Sequence, residues 1–209
     1  MLQTTGKSLY DICAGRIEMR VEQVCDEVVG LRPAYHRSSN STEIFLDKGQ
    51  VFVDQRTLKS VVKALARCYA IDLKAQRQLL RERTGRKAVI PFFLGKERVF
   101  IPLKMRRPLA RNDATYGYVD VRCLQEVEQE ERRKCWVMLS NGIKLEVFSN
   151  RATVIQGLHI GKQLLVSLQE LEKHNDDEGE EIVKSARILA RALGKISRQL
   201  DRIEKKYEG

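Results

Sequence analysis

The sequence lacks the features that mark a membrane-spanning, exported or disulfide-bonded protein. No stretch approaches the roughly 20 apolar residues of a membrane span, and the start of the chain has no apolar block of the secretory type. The five cysteines are widely spaced, with no C-x-x-C pair. This spacing argues against a disulfide framework and against a zinc site, and it predicts mostly buried, reduced thiols in a cytoplasmic protein.

The sequence motifs of common enzymes are also missing. The chain has only three histidines, far apart, and no G-x-S-x-G, Walker A or G-x-G-x-x-G motif. The acidic run at 126–131 is followed directly by basic residues, which is typical of a solvated loop or bulge and not of a paired acid and base. We therefore predict no enzymatic activity, no metal and no cofactor.

What the chain does have is positive charge concentrated in about one quarter of its length. The net charge is +10 overall. Residues 56–111 contain sixteen Lys or Arg against three acidic residues, a balance of +13, so the rest of the chain is slightly acidic. A confined positive field favours nucleic acid or another anionic surface as the partner, although a basic face that only aids solubility has the same composition.

Two segments have the pattern of β-hairpins. They are residues 43–54 and residues 135–148, the second built around Asn141-Gly142, a pair that readily adopts a type I′ turn. Residues 8–29 fit either a strand through Met19 and Val21 or one face of a helix, and we favour a helical turn followed by a strand.

Apolar periodicity predicts three helices between and after the hairpins. The first covers 57–69, the second covers 73–84 with Asp72 as its cap, and the third runs from Asn150 to about residue 173. Hairpins and helices in this order predict an α+β fold, with a mixed or antiparallel sheet and flanking helices in a domain of residues 1–173. Residues 174–209 are predicted as a separate acidic linker and helix.

The densest positive charge flanks two predicted strands. Residues 88–94 and 98–103 are β-prone, and each contains a proline, which is typical of edge strands or strand ends. Basic clusters at 83–87 and 104–111 lie at their outer ends, where a rigid sheet can hold arginines at a spacing that matches phosphates or a groove. The predicted DNA contacts are Arg83, Arg86, Lys87, Lys104, Arg106, Arg107, Arg111 and Asn112.

A second hypothesis uses the predicted helices instead of the strands. Helices 57–69 and 73–84 are joined by a tight turn, so they could form a helix-turn-helix that places Arg77 and Arg81 in a major groove. Against this, the third helix of such a motif is missing. Tyr118 and Trp136 fall in predicted strands and are expected in the core, which argues against binding of single strands by stacking.

The C-terminal segment has a regular apolar repeat. From Ile182 to Tyr207, apolar residues recur at alternating spacings of four and three, which is a coiled-coil seam of more than three heptads. Such a seam predicts a homodimer or larger assembly, although a helix packed on its own domain is the alternative. The predicted interface residues are Leu189, Leu193, Ile196, Leu200 and Ile203.

The order of these elements resembles the ComK family of competence transcription factors. The similarity covers about residues 43–165 and rests on "EIFLDKGQVFVD", Cys68 in the first helix, "GRKAVIPFFLGKERVFIPL", "YGYVDV" and "LSNGIKLEVFSN". Members of that family are cytoplasmic activators that bind paired A/T-rich boxes through the minor groove as dimers. The acidic linker and the long C-terminal helix of this chain depart from that pattern.

We therefore predict a cytoplasmic, nucleoid-associated regulator of transcription, and the resemblance implies that it is an activator. Its expected partners are A/T-rich duplex DNA bound through the minor groove, a second copy of the chain and RNA polymerase, and no membrane. Two alternatives stay open. One is an RNA-binding protein that uses the same basic surface, and the other is an interaction protein that acts through its C-terminal helix.

Overall fold

The structure, a computed structural model, describes residues 18–37, 39–84, 89–95 and 97–173. The predictions for Arg86, Lys87 and the C-terminal seam lie outside these residues, as does the side chain of Arg83. The described part has the predicted α+β architecture, with antiparallel hairpins and helices segregated from them.

Nine strands and three helices make up the described part of the chain. In order they are β1 (Val28–His36), β2 (Ser39–Leu46), β3 (Val51–Asp54), α1 (Leu58–Cys68), α2 (Leu73–Thr84), β4 (Phe92–Leu94), β5 (Arg98–Lys104), β6 (Tyr116–Asp120), β7 (Leu124–Glu131), β8 (Lys134–Leu139), β9 (Lys144–Val147) and α3 (Arg151–Lys173). Both predicted hairpins and all three predicted helices are confirmed.

Six strands form a central antiparallel sheet in the order β3-β2-β1-β6-β5-β4. The two halves join where β1 pairs with β6, with Leu31 opposite Tyr118. Gly117 allows this close approach, because a Cβ there would lie 2.4 Å from the Leu31 carbonyl oxygen and 2.5 Å from the Met105 sulfur. The short β4 is an edge strand, as its proline-containing segment predicts.

The central sheet is the middle of three layers. On one face, α1 and the start of α2 pack over a cluster that includes Leu31, Ile44 and Phe100. Farther along α2, Leu80 belongs to the cluster of the other face. The other face is covered by α3 and by a second antiparallel sheet, β7-β8-β9, over a cluster that includes Ile101 and Val119. The sheet is therefore covered on both faces, which explains why β5 carries a run of buried apolar residues from Val99 to Ile101.

Local capping follows the sequence for α2 and α3. The Asp72 carboxylate accepts from the backbone N–H of Lys74 at 2.7 Å, and Asn150 Oδ1 accepts from that of Thr153 at 2.7 Å. α3 then lies very close to the sheet at Gly161, where a Cβ would meet the side chains of Val121 and Ile101 at 2.4 and 2.5 Å.

Two local predictions are wrong. The turn at Asn141-Gly142 is not type I′, since only Gly142 has a positive φ, +81°. The Asn141 side chain instead donates to the Leu46 carbonyl oxygen at 2.6 Å and so links the two sheets. Near the N-terminus, Met19 contributes one backbone hydrogen bond to β3, and residues 21–27 form 3₁₀ turns in place of the predicted strand.

Four strand termini meet at one end of the central sheet. They are the end of β1, the start of β2, the end of β5 and the start of β6. We call this the loop end, because the connection 105–115 lies there. α1 starts at this end, where Thr42 Oγ1 donates to the Arg56 carbonyl oxygen at 2.9 Å. It finishes at the opposite end, where Arg98 donates to the Tyr69 hydroxyl at 2.6 Å.

Candidate nucleic-acid interface

The β5–β6 connection, residues 105–115, projects from the loop end. At its base, the backbone N–H groups of Met105 and Arg106 both donate to the Thr115 carbonyl oxygen, at 2.9 and 3.1 Å, and these hydrogen bonds close the base. Beyond it, residues 107–112 are all exposed. This confirms the exposed basic segment that the sequence predicts after the second strand.

Arg106 is a correction to the predicted contacts, because it is buried beneath the loop and only 7% exposed. Its Nε donates to the Ala114 carbonyl oxygen at 2.8 Å, and its Nη1 donates to the Ala34 carbonyl oxygen at 3.1 Å and to Asn40 Oδ1 at 2.9 Å. The guanidinium also lies 4.3 Å over the Tyr35 ring. Its donors hold the loop to β1 and β2 and are not presented to a ligand.

Asp113 fixes the shape of the loop from the other side. Its carboxylate accepts from the Tyr35 hydroxyl, from Asn40 Nδ2 at 3.1 Å, and from the backbone N–H groups of Leu109 at 3.1 Å and Ala110 at 2.8 Å. These hydrogen bonds, that from Tyr35 most strongly, hold the pKa of Asp113 well below its ordinary value. Sequence reasoning missed this anchor, although an Asp in a turn that bonds nearby backbone N–H groups is a recognisable signal.

The other predicted contacts on the described loop end are open to a ligand. Arg107, Arg111 and Asn112 are exposed, and Lys104 is half-buried at the end of β5. Arg107 is also oriented, because its guanidinium lies 4.9 Å over the ring of Phe148. Within the described part of the chain, no carboxylate forms an ion pair with any of the three cations.

A second group of free cations lies on the outer face of α1 and α2. Lys59, Lys63 and Arg67 are exposed and four residues apart, so they form one row along α1. Lys74 and Arg81 are exposed on α2. We call these five residues the helix-face cations, and among the residues that the structure describes none of them is ion-paired. The sequence signal was the four-residue spacing in a helix that contains no acidic residue, and it was missed.

The structure disfavours the helix-turn-helix hypothesis. Arg77 is half-buried and close to the Tyr118 hydroxyl, where it partly offsets the rise that burial causes in the pKa of Tyr118, so this arginine points toward the sheet. α1 packs on one face of the central sheet, and α3, the remaining helix of the described part, packs on the other, while α2 contributes Leu73 to the first cluster and Leu80 to the second. No third helix completes the motif there.

Some of the basic residues counted in 56–111 form ion pairs or hydrogen bonds within the protein. The Arg56 guanidinium contacts Asp54 at 2.6 Å and Glu22 at 2.6 Å, and it lowers the pKa of Glu22 to about 2. Arg98 donates to the carbonyl oxygens of Val28 and Cys25, the latter at 3.0 Å. With Arg106, these residues reduce the charge that is available to a ligand below the sequence balance of +13.

In the second sheet, unlike on the helix face, the lysines at the outer surface are paired with glutamates. The acidic run belongs to strand β7, whose register with β8 shifts at Gln129–Glu131, so of the two predicted alternatives it is an exposed, irregular strand segment of the bulge type and not a loop. Trp136, predicted in the core, is half-buried on the outer surface of this sheet. Lys134 and Lys144 lie 5.6 and 5.4 Å from its ring. The ion pairs of these lysines are Lys134–Glu146 at 2.6 Å, Lys134–Glu130 at 3.0 Å and Lys144–Glu128 at 2.7 Å.

The described surface is therefore suited to binding anions. No group of three metal-ligating side chains occurs among the described residues. Exposed guanidinium and ammonium groups supply strong donors to phosphate oxygens. No described helix is long and apolar enough to cross a membrane.

Comparisons with known proteins give no assignment. No protein-family model, curated protein or solved structure matches this chain. The resemblance to the ComK family stays a prediction from the sequence.

Proposed function

We propose that this protein is a DNA-binding regulator of transcription that contacts A/T-rich duplex DNA with its loop end and its helix face. The observation that carries the proposal is the set of exposed cations without ion-pair partners in the described part of the chain. Such cations can neutralise phosphates and release counterions, which is the main source of affinity for duplex DNA.

The chemistry of the loop end favours a groove over a simple phosphate contact. Arg107 and Arg111 carry planar guanidinium groups, which suit a narrow A/T-rich minor groove with its enhanced negative potential. The loop that carries them is held by Arg106 and Asp113, so little conformational entropy is lost on binding. The resemblance to the ComK family supports the same groove and base composition. Self-association through the C-terminal seam and contact with RNA polymerase stay predictions of the sequence.

The test is fluorescence anisotropy with labelled A/T-rich duplex DNA over a range of salt concentrations. We expect duplex DNA to compete better than duplex or single-stranded RNA, and a minor-groove drug to displace the protein. Arg107→Gln combined with Arg111→Gln should flatten the slope of log affinity against log salt by about 0.9 for each lost phosphate contact and reduce the preference for A/T-rich over G/C-rich DNA.

A matched control is available at the β7–β8 turn. Arg132 and Arg133 are also exposed arginines, but they lie on the acidic sheet, so their double change to Gln should leave affinity nearly unchanged. Equal losses in the two double variants would show that only net charge matters. Stronger competition by RNA would favour the RNA-binding alternative, and no DNA affinity at all would overturn the proposal.

A further inference from the structure

Leu109 is the most exposed large apolar side chain in the described part of the chain. It is 82% exposed, whereas the next, Val166 on α3, is 51% exposed. It lies beside the exposed Pro108, between the exposed arginines 107 and 111. Single exposed apolar residues are common on protein surfaces, so exposure alone assigns no role to Leu109.

The backbone around Leu109 is what separates it from an incidental surface residue. Its N–H lies within hydrogen-bond distance of both Asp113 Oδ2 and the Tyr35 hydroxyl, at 3.1 Å each. The next N–H, of Ala110, donates to the same carboxylate at 2.8 Å. The loop thus holds an apolar side chain out in solvent at a fixed position, where no described residue covers it.

We propose that Leu109, supported by Pro108, is an apolar wedge that enters between base pairs from the minor groove of the bound duplex. This inference rests on the proposed DNA binding and names the residue that deforms the DNA. Leucine and proline are among the side chains that unstack base steps in this way, and the step most easily opened is the flexible TA step of A/T-rich DNA. The flanking arginines supply the attraction that brings the wedge to the groove.

Two other binding partners for Leu109, a membrane and a protein, fit the observations less well. An anionic membrane would also attract the arginines, but one leucine inserts far fewer methylene groups than a myristoyl chain, which alone binds membranes only marginally. A protein partner would need a broad surface of roughly 800 Å², and Leu109 is an isolated apolar residue on a basic loop.

The test uses the full chain and a short alternating A/T duplex with 2-aminopurine in place of adenine at its TA steps. The fluorescence of 2-aminopurine is quenched by stacking and rises when a step opens. We expect the wild-type protein to raise this fluorescence on binding. Leu109→Ala should lose most of the rise and keep the salt dependence of affinity, because it removes no charge. Leu109→Met, which keeps a long apolar side chain, should retain the rise. Since Leu109 is exposed, both variants should unfold at the wild-type temperature.

The outcomes separate the wedge from the proposed function. If the wild-type protein binds the duplex without a rise, or if Leu109→Ala keeps the full rise, the wedge is wrong while DNA binding stands. If the wild-type protein does not bind the duplex, both fail. Binding to phosphatidylglycerol vesicles that depends on Leu109, without the fluorescence rise on DNA, would assign the loop to a membrane instead.

Discussion

The helix face and the outer surface of the second sheet both carry lysines, but only those of the second sheet form ion pairs within the described part of the chain. Lys59 and Lys63 on α1 are exposed without ion pairs among the described residues, whereas Lys134 and Lys144 are each paired with glutamate. The difference comes from where a side chain finds its neighbours. On a helix they lie three or four residues away in the same segment, and α1 contains no acidic residue. In a sheet they come from other strands. Lys134 of β8 pairs with Glu130 of β7 and Glu146 of β9, and Lys144 of β9 reaches Glu128 of β7 across β8.

The largest expected effect comes from removing the charges of the exposed row of cations on α1. Changing Lys59, Lys63 and Arg67 together to Gln should lower the affinity for duplex DNA on the order of tenfold or more at moderate salt, and it should flatten the salt slope by about 2.7 if all three contact phosphates. Anisotropy titrations at several salt concentrations measure both quantities.

The matched control removes paired lysines. Changing Lys134 and Lys144 to Gln deletes cations that their glutamates already neutralise, so the affinity and the slope should change little. A loss as large as that of the α1 variant would show that the ion pairs do not hide these lysines from DNA.

The converse experiment should convert the second sheet into a basic surface. Changing Glu128, Glu130 and Glu146 to Gln removes the glutamate partners of Lys144 and Lys134 and leaves both cations on the surface. We expect a gain in nonspecific DNA affinity of about two- to fivefold that disappears at high salt, since the added attraction is purely electrostatic. An unchanged affinity would indicate that free cations need the fixed loop or the helix row to be effective.

The sequence predicted the secondary structure well where local signals decide it. Asp72 and Asn150 cap α2 and α3 as expected, and the hairpin at 43–54 forms around Gly49, which has the positive φ that such turns favour. It failed for β1, a central strand that contains Gly30 and Pro33, because burial on both faces overrides local propensity.

The positive charge of the site could be predicted from the sequence, but the hydrogen bonds that hold the loop could not. The exposed loop with Arg107 and Arg111 follows from composition, whereas the burial of Arg106 depends on Tyr35 and Asn40, which lie more than sixty residues away in the sequence. Adjacent arginines thus took opposite roles through tertiary contacts. The row on α1 could have been found from its four-residue spacing.

The smallest expected effect concerns the anchor that orients the free cations of the loop. The pKa of Asp113 is lowered from its ordinary value of 3.8, so its contribution to stability is complete above that value and is lost only as the pH falls through the lower, folded-state value. Loop anchoring should therefore be constant from neutral to mildly acidic pH. Asp113→Asn should speed hydrogen exchange at Leu109 and Ala110 by about tenfold and leave exchange in the sheets unchanged. Equal exchange rates in both proteins would show that the loop is held without this carboxylate.

Hydrogen exchange of the full chain with and without an A/T-rich duplex compares the two surfaces in one measurement. If free cations direct binding, DNA should slow exchange in residues 105–115 and along α1 and α2, and leave β7, β8 and β9 unchanged. Protection of the second sheet, with no change at the loop end or the helix face, would contradict the proposed interface.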